Sequence, residues 1–386
     1  MTIQLKKRPT SFLLQANDLA GIKDSADSAG WHEFSVAGKI IGAGYLGVQN
    51  KGVGWLIPNA QQKPDATFFT NLFLEAIGKR KFLVRDAQTT AFRLFNGAGD
   101  GFGGLTIDYY GGYAVFSWYN ETIANWKKEI IRGFKEAFAS SFREELVGIV
   151  AKNRYQGAAS ESEILDGTIP EDVIVLENGL KYHVHLQDGW MTGIFLDQRE
   201  VRKSLKEGLA KDCRVLNTFS YTGAFSVAAK VGGAKSTTSV DLAKRSLPLT
   251  KEQFEVNELD DSKEKMYAMG VFHFFDYAAK KKLNYDCIIL DPPSFARNKK
   301  QTFSVAKNYN ELIEASLKVM KKGLLICSTN ASNISYGNFR KMIETTLKDQ
   351  KQAYAIQEVF RLPADFPAPK EMPEENYLKV VVVSIL

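Results

Sequence analysis

Cysteine and histidine are both scarce in this chain, with three of the first and four of the second. Cys213, Cys287 and Cys327 lie far apart and are odd in number, which argues against a disulfide framework and against a Cys-x-x-Cys metal clip. They read as reduced thiols. His32, His183, His185 and His273 contain no helix-spaced ligand pair, although His183 and His185 alternate along an expected strand and would share one face. No metal site is expected. A run of about 18 apolar residues is also missing, so nothing reads as a membrane span. The opening Met1 to Arg8 lacks the apolar stretch that a secretory signal carries behind its basic residues. The expected address is therefore the cytoplasm, away from any membrane. Internal repeats and low-complexity tracts are absent too.

What is present is a chain of 386 residues, long for one domain, with 45% hydrophobic and 24% charged residues, ordinary values for a globular protein. Its formal charge of +6 suits a partner with a phosphate backbone better than an acidic chain would. From Trp31 to Gln61, short apolar runs separated by glycines predict a small β-rich module. A helix is expected over Ala66 to Lys79. Another follows over Asn120 to Phe142, where Ile123, Trp126, Ile130, Phe134 and Phe138 recur at helical spacing behind an Asn120 cap. Strand-like runs Tyr113 to Tyr119 and Leu146 to Ala151 flank it, making a central α+β unit. From Gly189 onward, short buried strands alternate with amphipathic helices, which predicts an α/β, doubly wound sheet. Lys379 to Leu386 is the last strand. The divisions fall at 1–72, 73–188 and 189–386.

In such a sheet, ligands sit beyond the carboxyl ends of the strands, so polar residues that end apolar strands are the informative ones. The first strand ends in Asn217-Thr-Phe-Ser-Tyr-Thr-Gly223, and the helix behind it offers free N–H groups to a polar ligand. No Gly-x-Gly-x-x-Gly is present, which disfavours a dinucleotide and a nicotinamide oxidoreductase. The second strand ends in Asp241, where a carboxylate can accept from both hydroxyls of a ribose; alone, it reads equally well as the cap of a helix over Ala243 to Asn257. The fourth strand ends in Asp291-Pro-Pro-Ser-Phe295, whose rigid backbone and aromatic ring can grip a planar base. Behind it comes the basic run Arg297, Lys299, Lys300, placed for phosphates.

Gly193-Ile-Phe-Leu-Asp-Gln-Arg199, Val215 to Ser226, Ser239-Val-Asp241, Asp286 to Ala296, Leu362 to Pro367 with Tyr377-Leu-Lys379, and Asn96 to Asp108 together resemble a bacterial family of class I ribosomal RNA methyltransferases that use S-adenosylmethionine. Its best-known members make 5-methylcytosine in 23S ribosomal RNA. The resemblance implies a PUA-like RNA-binding module at the N-terminus, a central α+β domain, and a Rossmann-like methyltransferase domain with a seven-stranded sheet. By resemblance, Phe195, Asp197, Gln198, Arg199, Asn217, Phe219, Ser220, Thr222, Gly223, Asp241, Leu242 and Asp291 would meet the cofactor. Pro292, Pro293, Ser294, Phe295, Arg297, Lys299, Lys300, Asp365 and Tyr377 would meet RNA. Gly270 stands where relatives often carry an acidic residue near adenine, and Ala98 and Phe366 replace an acidic residue and a histidine. Oligomeric state stays open, a homodimer included.

Catalysis at cytosine C5 needs a thiolate to add to C6 before the ring can attack the methyl group. By resemblance, that cysteine ends the fifth strand, where this chain has Thr329, with Cys327 two residues earlier. Residues two apart on a strand share a face but differ axially by about 6.6 Å. Two chemistries are thus expected. Either Cys327, beside Asp291, serves cytosine C5, or the methyl group passes directly to another base atom or a ribose. A catalytically silent RNA-binding assembly factor is the remaining alternative.

Overall fold

A computed structural model describes residues 1–21, 28–47, 52–58, 60, 63–297 and 302–386. They divide into two compact units, one of Met1–Leu176, Val184–Thr192 and Ala364–Glu375, the other of Glu177–His183, Gly193–Pro363 and Asn376–Leu386. The helix Ala66–Lys79, capped by the Asp65 side chain on the Phe68 N–H, runs unbroken across position 72.

The first unit holds two five-stranded sheets. One is built from Thr2–Leu5, Gly30–Val36, Lys39–Leu46, Gly54–Pro58 and Leu13–Leu14, in that spatial order. The other runs Ser162–Gly167, Gly148–Asn153, Tyr113–Trp118, Leu105–Tyr110, Ala91–Asn96. Helices Ala66–Lys79 and Lys127–Ser141 pack together, and Gly133 lets them approach, since a Cβ there would lie 2.6 Å from the Ala66 carbonyl oxygen. Their buried faces meet an aromatic core in which Phe134 lies 5.1 Å from Phe116 and 5.6 Å from Phe73 between ring centroids. Truncating such a ring to alanine costs about 3–5 kcal/mol.

The helix expected over Asn120 to Phe142 is split. Asn120 does cap, accepting from the Ile123 N–H, but the segment Glu121–Ala124 ends before Trp126, whose ring packs edge-on against Trp31 and Tyr45. Tertiary packing of one indole outweighs helical continuity there. The strand expected at Leu146 to Ala151 lies at Gly148–Asn153, and His183 falls on the strand Leu180–Val184 with His185 just past its end.

Two buried charges organise the segment Ala364–Glu375. The Arg80 guanidinium is fully buried and binds both oxygens of Asp100, at 3.1 and 2.7 Å, and the carbonyls of Ala76, Arg93 and Asp365. The Asp365 carboxylate accepts from the Arg93 N–H at 2.9 Å, and the Phe366 ring lies 4.4 Å from the Arg93 guanidinium. A phenylalanine at 366 therefore has a partner of its own.

In the second unit we number the sheet strands β1 (Arg214–Thr218), β2 (Ser236–Asp241), β3 (Lys265–Ala268), β4 (Cys287–Leu290), β5 (Gly323–Thr329), β6 (Tyr354–Phe360) and β7 (Lys379–Ile385), and the helices α1 (Ala224–Val231), α2 (Ser246–Val256), α3 (Val271–Lys280), α4 (Val305–Leu317) and α5 (Tyr336–Asp349). Strand order is β3-β2-β1-β4-β5-β7-β6. All pairs from β3 to β5 are parallel and the two pairs made by β7 antiparallel. Every residue of β4 is buried, as the run Cys-Ile-Ile-Leu demands of a central strand covered on both faces. Order reverses between β1 and β4, so the carboxyl ends of those strands flank the binding crevice of a doubly wound sheet. The expected α/β architecture is present. No helix among the described residues is long and apolar enough to cross a membrane.

Candidate active site

Beyond β1, the loop to α1 carries three left-handed residues in alternation: Phe219 (φ 55°), Tyr221 (φ 50°) and Gly223 (φ 78°). Such backbone is costly for residues with a Cβ and persists only where the surroundings enforce it. Here the Ser220 N–H donates to the Val240 carbonyl, the Tyr221 N–H to Asp241 Oδ2 at 3.0 Å, and the Thr222 hydroxyl to the Gly193 carbonyl at 2.7 Å. At Gly223 a Cβ would lie 2.6 Å from Thr250 Cγ2, so only glycine fits. Alternating backbone of this kind turns successive N–H groups toward one concavity, placed at the N-terminus of α1.

Asp241 ends β2. Its other carboxylate oxygen accepts from the Ala243 N–H at 2.8 Å, which holds the chain in a turn and delays α2 to Ser246, three residues later than expected. Each oxygen keeps a further lone pair for a ligand hydroxyl. Leu242 beside it is 65% exposed, an apolar surface open to a planar group. The Met269 N–H donates to the Asp241 carbonyl, and Gly270, at the start of α3, leaves the rim open, with Leu242 Cδ1 4.0 Å from where its Cβ would stand. Phe303 closes one side, 6.3 Å from Phe219 and 6.4 Å from Phe272 between centroids.

Asp291 follows β4. Gln198 Nε2 donates to its Oδ1 at 3.1 Å and to the Ser328 hydroxyl at 2.8 Å. Desolvation, with the neighbouring Asp197 charge adding to it, pushes the Asp291 carboxyl up to about 6. Asp197 in turn accepts from the Tyr377 hydroxyl at 3.0 Å. The Arg202 guanidinium is spent on Glu177, at 2.6 and 2.7 Å, and on the Phe195 carbonyl. Pro292 is buried, Pro293 and Phe295 are exposed, and the Ser294 hydroxyl donates to Asn330 Oδ1, linking the ends of β4 and β5.

Several expected contacts face inward instead. Asn217 is fully buried and donates to the Ser226 hydroxyl, because residues of a central strand point into the layers above and below. Ser220, Thr222, Gln198 and Arg199 are buried as well. Asp365 is fully buried in the first unit. Cys327 is fully buried beneath the strand end, against the Tyr309 hydroxyl, and burial pushes its thiol up to about 12. Thr329 is also buried, its hydroxyl accepting from the Ala331 N–H. Lys299 and Lys300 lie outside the described residues, as does the side chain of Arg297.

Sequence reasoning missed Phe303, Tyr309, Arg202 and Asn330. Phe303 and Tyr309 reach the site only through folding. Arg202 is three residues beyond Arg199 on the same helical segment, and its buried pairing with Glu177 has no local signal.

Residues 92–375 match the profile of a family described as S-adenosylmethionine-dependent methyltransferase. A Bacillus subtilis protein provisionally named ribosomal RNA large subunit methyltransferase YwbD is 47% identical over 354 residues, covering 90% of this chain and 88% of its own. Ribosomal RNA large subunit methyltransferase I of Tolumonas auensis is 30% identical, covering 83% and 81%. Among solved structures, SMU.776, provisionally described as a methyltransferase and complexed with SAH, superimposes with a TM-score of 0.89 at 41% identity over 100% of this chain and 99% of its own.

Proposed function

The chain belongs to the S-adenosylmethionine-dependent methyltransferase family, and from that premise we propose that it methylates large-subunit ribosomal RNA by direct transfer to a base heteroatom, without a cysteine nucleophile. S-adenosylmethionine supplies, when bound, an electrophilic methyl group on a sulfonium. The residues fit it. Asp241 offers two carboxylate oxygens with spare lone pairs to a ribose, Leu242 and the open rim at Gly270 suit an adenine, and the amides of Phe219 to Gly223 suit the amino-acid end.

The observation that carries direct transfer is the placement of the thiols. Cys327 is buried with its thiol raised to about 12, and Cys287 and Cys213 lie at the other end of the sheet, Cys287 paired with Val215 and Cys213 just before β1. Cytosine C5, the chemistry of the best-known relatives by resemblance, requires a thiolate that none of these supplies. A ring nitrogen brings its own lone pair and needs no such addition. Asp291, ionised above a pH of about 6, can hold an N–H of the target base while Pro293 and Phe295 face its plane. RNA is the expected partner, in the cytoplasm. Mass-spectrometric mapping of large-subunit ribosomal RNA from a strain lacking this protein tests the reading: one methylated base should disappear. Loss of a 5-methylcytosine instead would overturn direct transfer.

A further inference from the structure

The end of β5 places a nucleophile in the cysteine-using relatives that this chain resembles, yet here it presents something else. Cys327, Ser328 and Thr329 are all buried, with Ser328 bonded to Gln198 and Thr329 to the Ala331 N–H. Asn330 is the first side chain past the strand that is exposed. Its backbone surroundings are anchored from below by Lys379, a buried lysine on β7 directly across from Thr329, whose ammonium donates to the carbonyls of Ala331 at 2.7 Å and Ile334 at 2.8 Å. Its amide is oriented from the side. The Ser294 hydroxyl donates to Asn330 Oδ1, and Ser294 is itself held by its carbonyl, which accepts the Val305 N–H. With Oδ1 engaged, the Nδ2 group is left as an outward donor beside Asp291-Pro-Pro-Ser.

We propose that Asn330, oriented by Ser294, is a specificity residue that donates a hydrogen bond to an acceptor on the edge of the target base. The base it selects carries a carbonyl oxygen or an unprotonated ring nitrogen next to the atom that is methylated. Asp291, an acceptor, and Asn330, a donor, then read complementary features from the ends of adjacent strands. This rests on the reading of the chain as an RNA methyltransferase.

The test compares Asn330→Ala and Asn330→Asp in the full chain, using protein-free large-subunit ribosomal RNA from cells lacking the protein. Wild type must first methylate this RNA; if it does not, the functional reading fails before the variants are compared. With wild type active, Asn330→Ala should lower kcat/KM for RNA by about 10- to 100-fold, the loss of one donor, with S-adenosylmethionine affinity unchanged. Asn330→Asp should be worse than alanine, because it sets an acceptor against an acceptor. Ser294→Ala, which frees the amide to rotate, should cause a smaller loss than either. Alanine worse than aspartate, or both within threefold of wild type, overturns the proposal, and so does an equal loss of S-adenosylmethionine affinity.

Discussion

Asp100 in the first unit and Asp291 in the second are both carboxylates withdrawn from water, and their surroundings treat them oppositely. Asp100 is gripped on both oxygens by the fully buried Arg80, with Lys79 at 3.4 Å and the Asn96 N–H at 2.7 Å besides. Asp291 has amide and hydroxyl partners and no direct ion pair; the Asp197 charge raises its pKa and the Arg202 guanidinium lowers it. A paired buried charge ties chain segments together and is inert. One with no direct ion partner carries a displaced pKa, the property by which titratable groups at functional sites are sought.

The sharpest break of that comparison is to remove the partner of the inert pair. Asp100→Ala strands the Arg80 guanidinium in the core, and urea denaturation should show a loss of about 3–5 kcal/mol. The double change Asp100→Leu with Arg80→Met should recover most of it. A single mutant as stable as wild type would mean that Arg80 finds water or another anion.

Asp291→Asn should behave in the contrary way, losing methyl transfer while gaining stability. Because its carboxyl is raised from 3.8 to about 6, the folded state binds that proton more tightly than the unfolded chain. This favours the fold below a pH near 4, is lost as pH rises towards 6, and leaves a constant penalty above it. The asparagine variant should therefore be more stable than wild type at pH 8, by about 3 kcal/mol at most, and no more stable at pH 3. Wild-type activity should fall as pH drops through 6. Equal stability gains at both pH values would dissociate the effect from this carboxylate's titration.

Asp241→Ala tests a carboxylate that is neither paired nor buried but holds two backbone N–H groups. Its loss should weaken S-adenosylmethionine binding by about 1–3 kcal/mol in calorimetry, since a charged acceptor disappears. Unchanged affinity in a folded variant would refute the ribose assignment. The smallest effect is expected at Cys327. Cys327→Ala should retain turnover, cost about 1 kcal/mol of stability from lost packing, and RNA containing 5-fluorocytosine should trap no covalent complex. A trapped adduct would restore the thiolate mechanism.

The sequence by itself determined the alternation of strand and helix from Gly189 onward, the strand-end motifs around Gly223, Asp241 and Asp291, and the helix Ala66–Lys79, because periodicity, caps and turn residues act over a few positions. It also posed the question of Cys327 by setting it two residues before Thr329. What it could not decide was direction and depth. Asn217, Thr222 and Arg199 belong to the right segments yet face inward, and the helix behind Asn120 breaks so that one indole can reach Trp31 and Tyr45. Only tertiary structure settled that Cys327 lies under the sheet end against Tyr309 while Asn330 stands exposed, hydrogen-bonded to Ser294. Burial, and with it the protonation of a thiol or carboxyl, depends on side chains brought together from distant parts of the chain, and local sequence carries no record of that meeting.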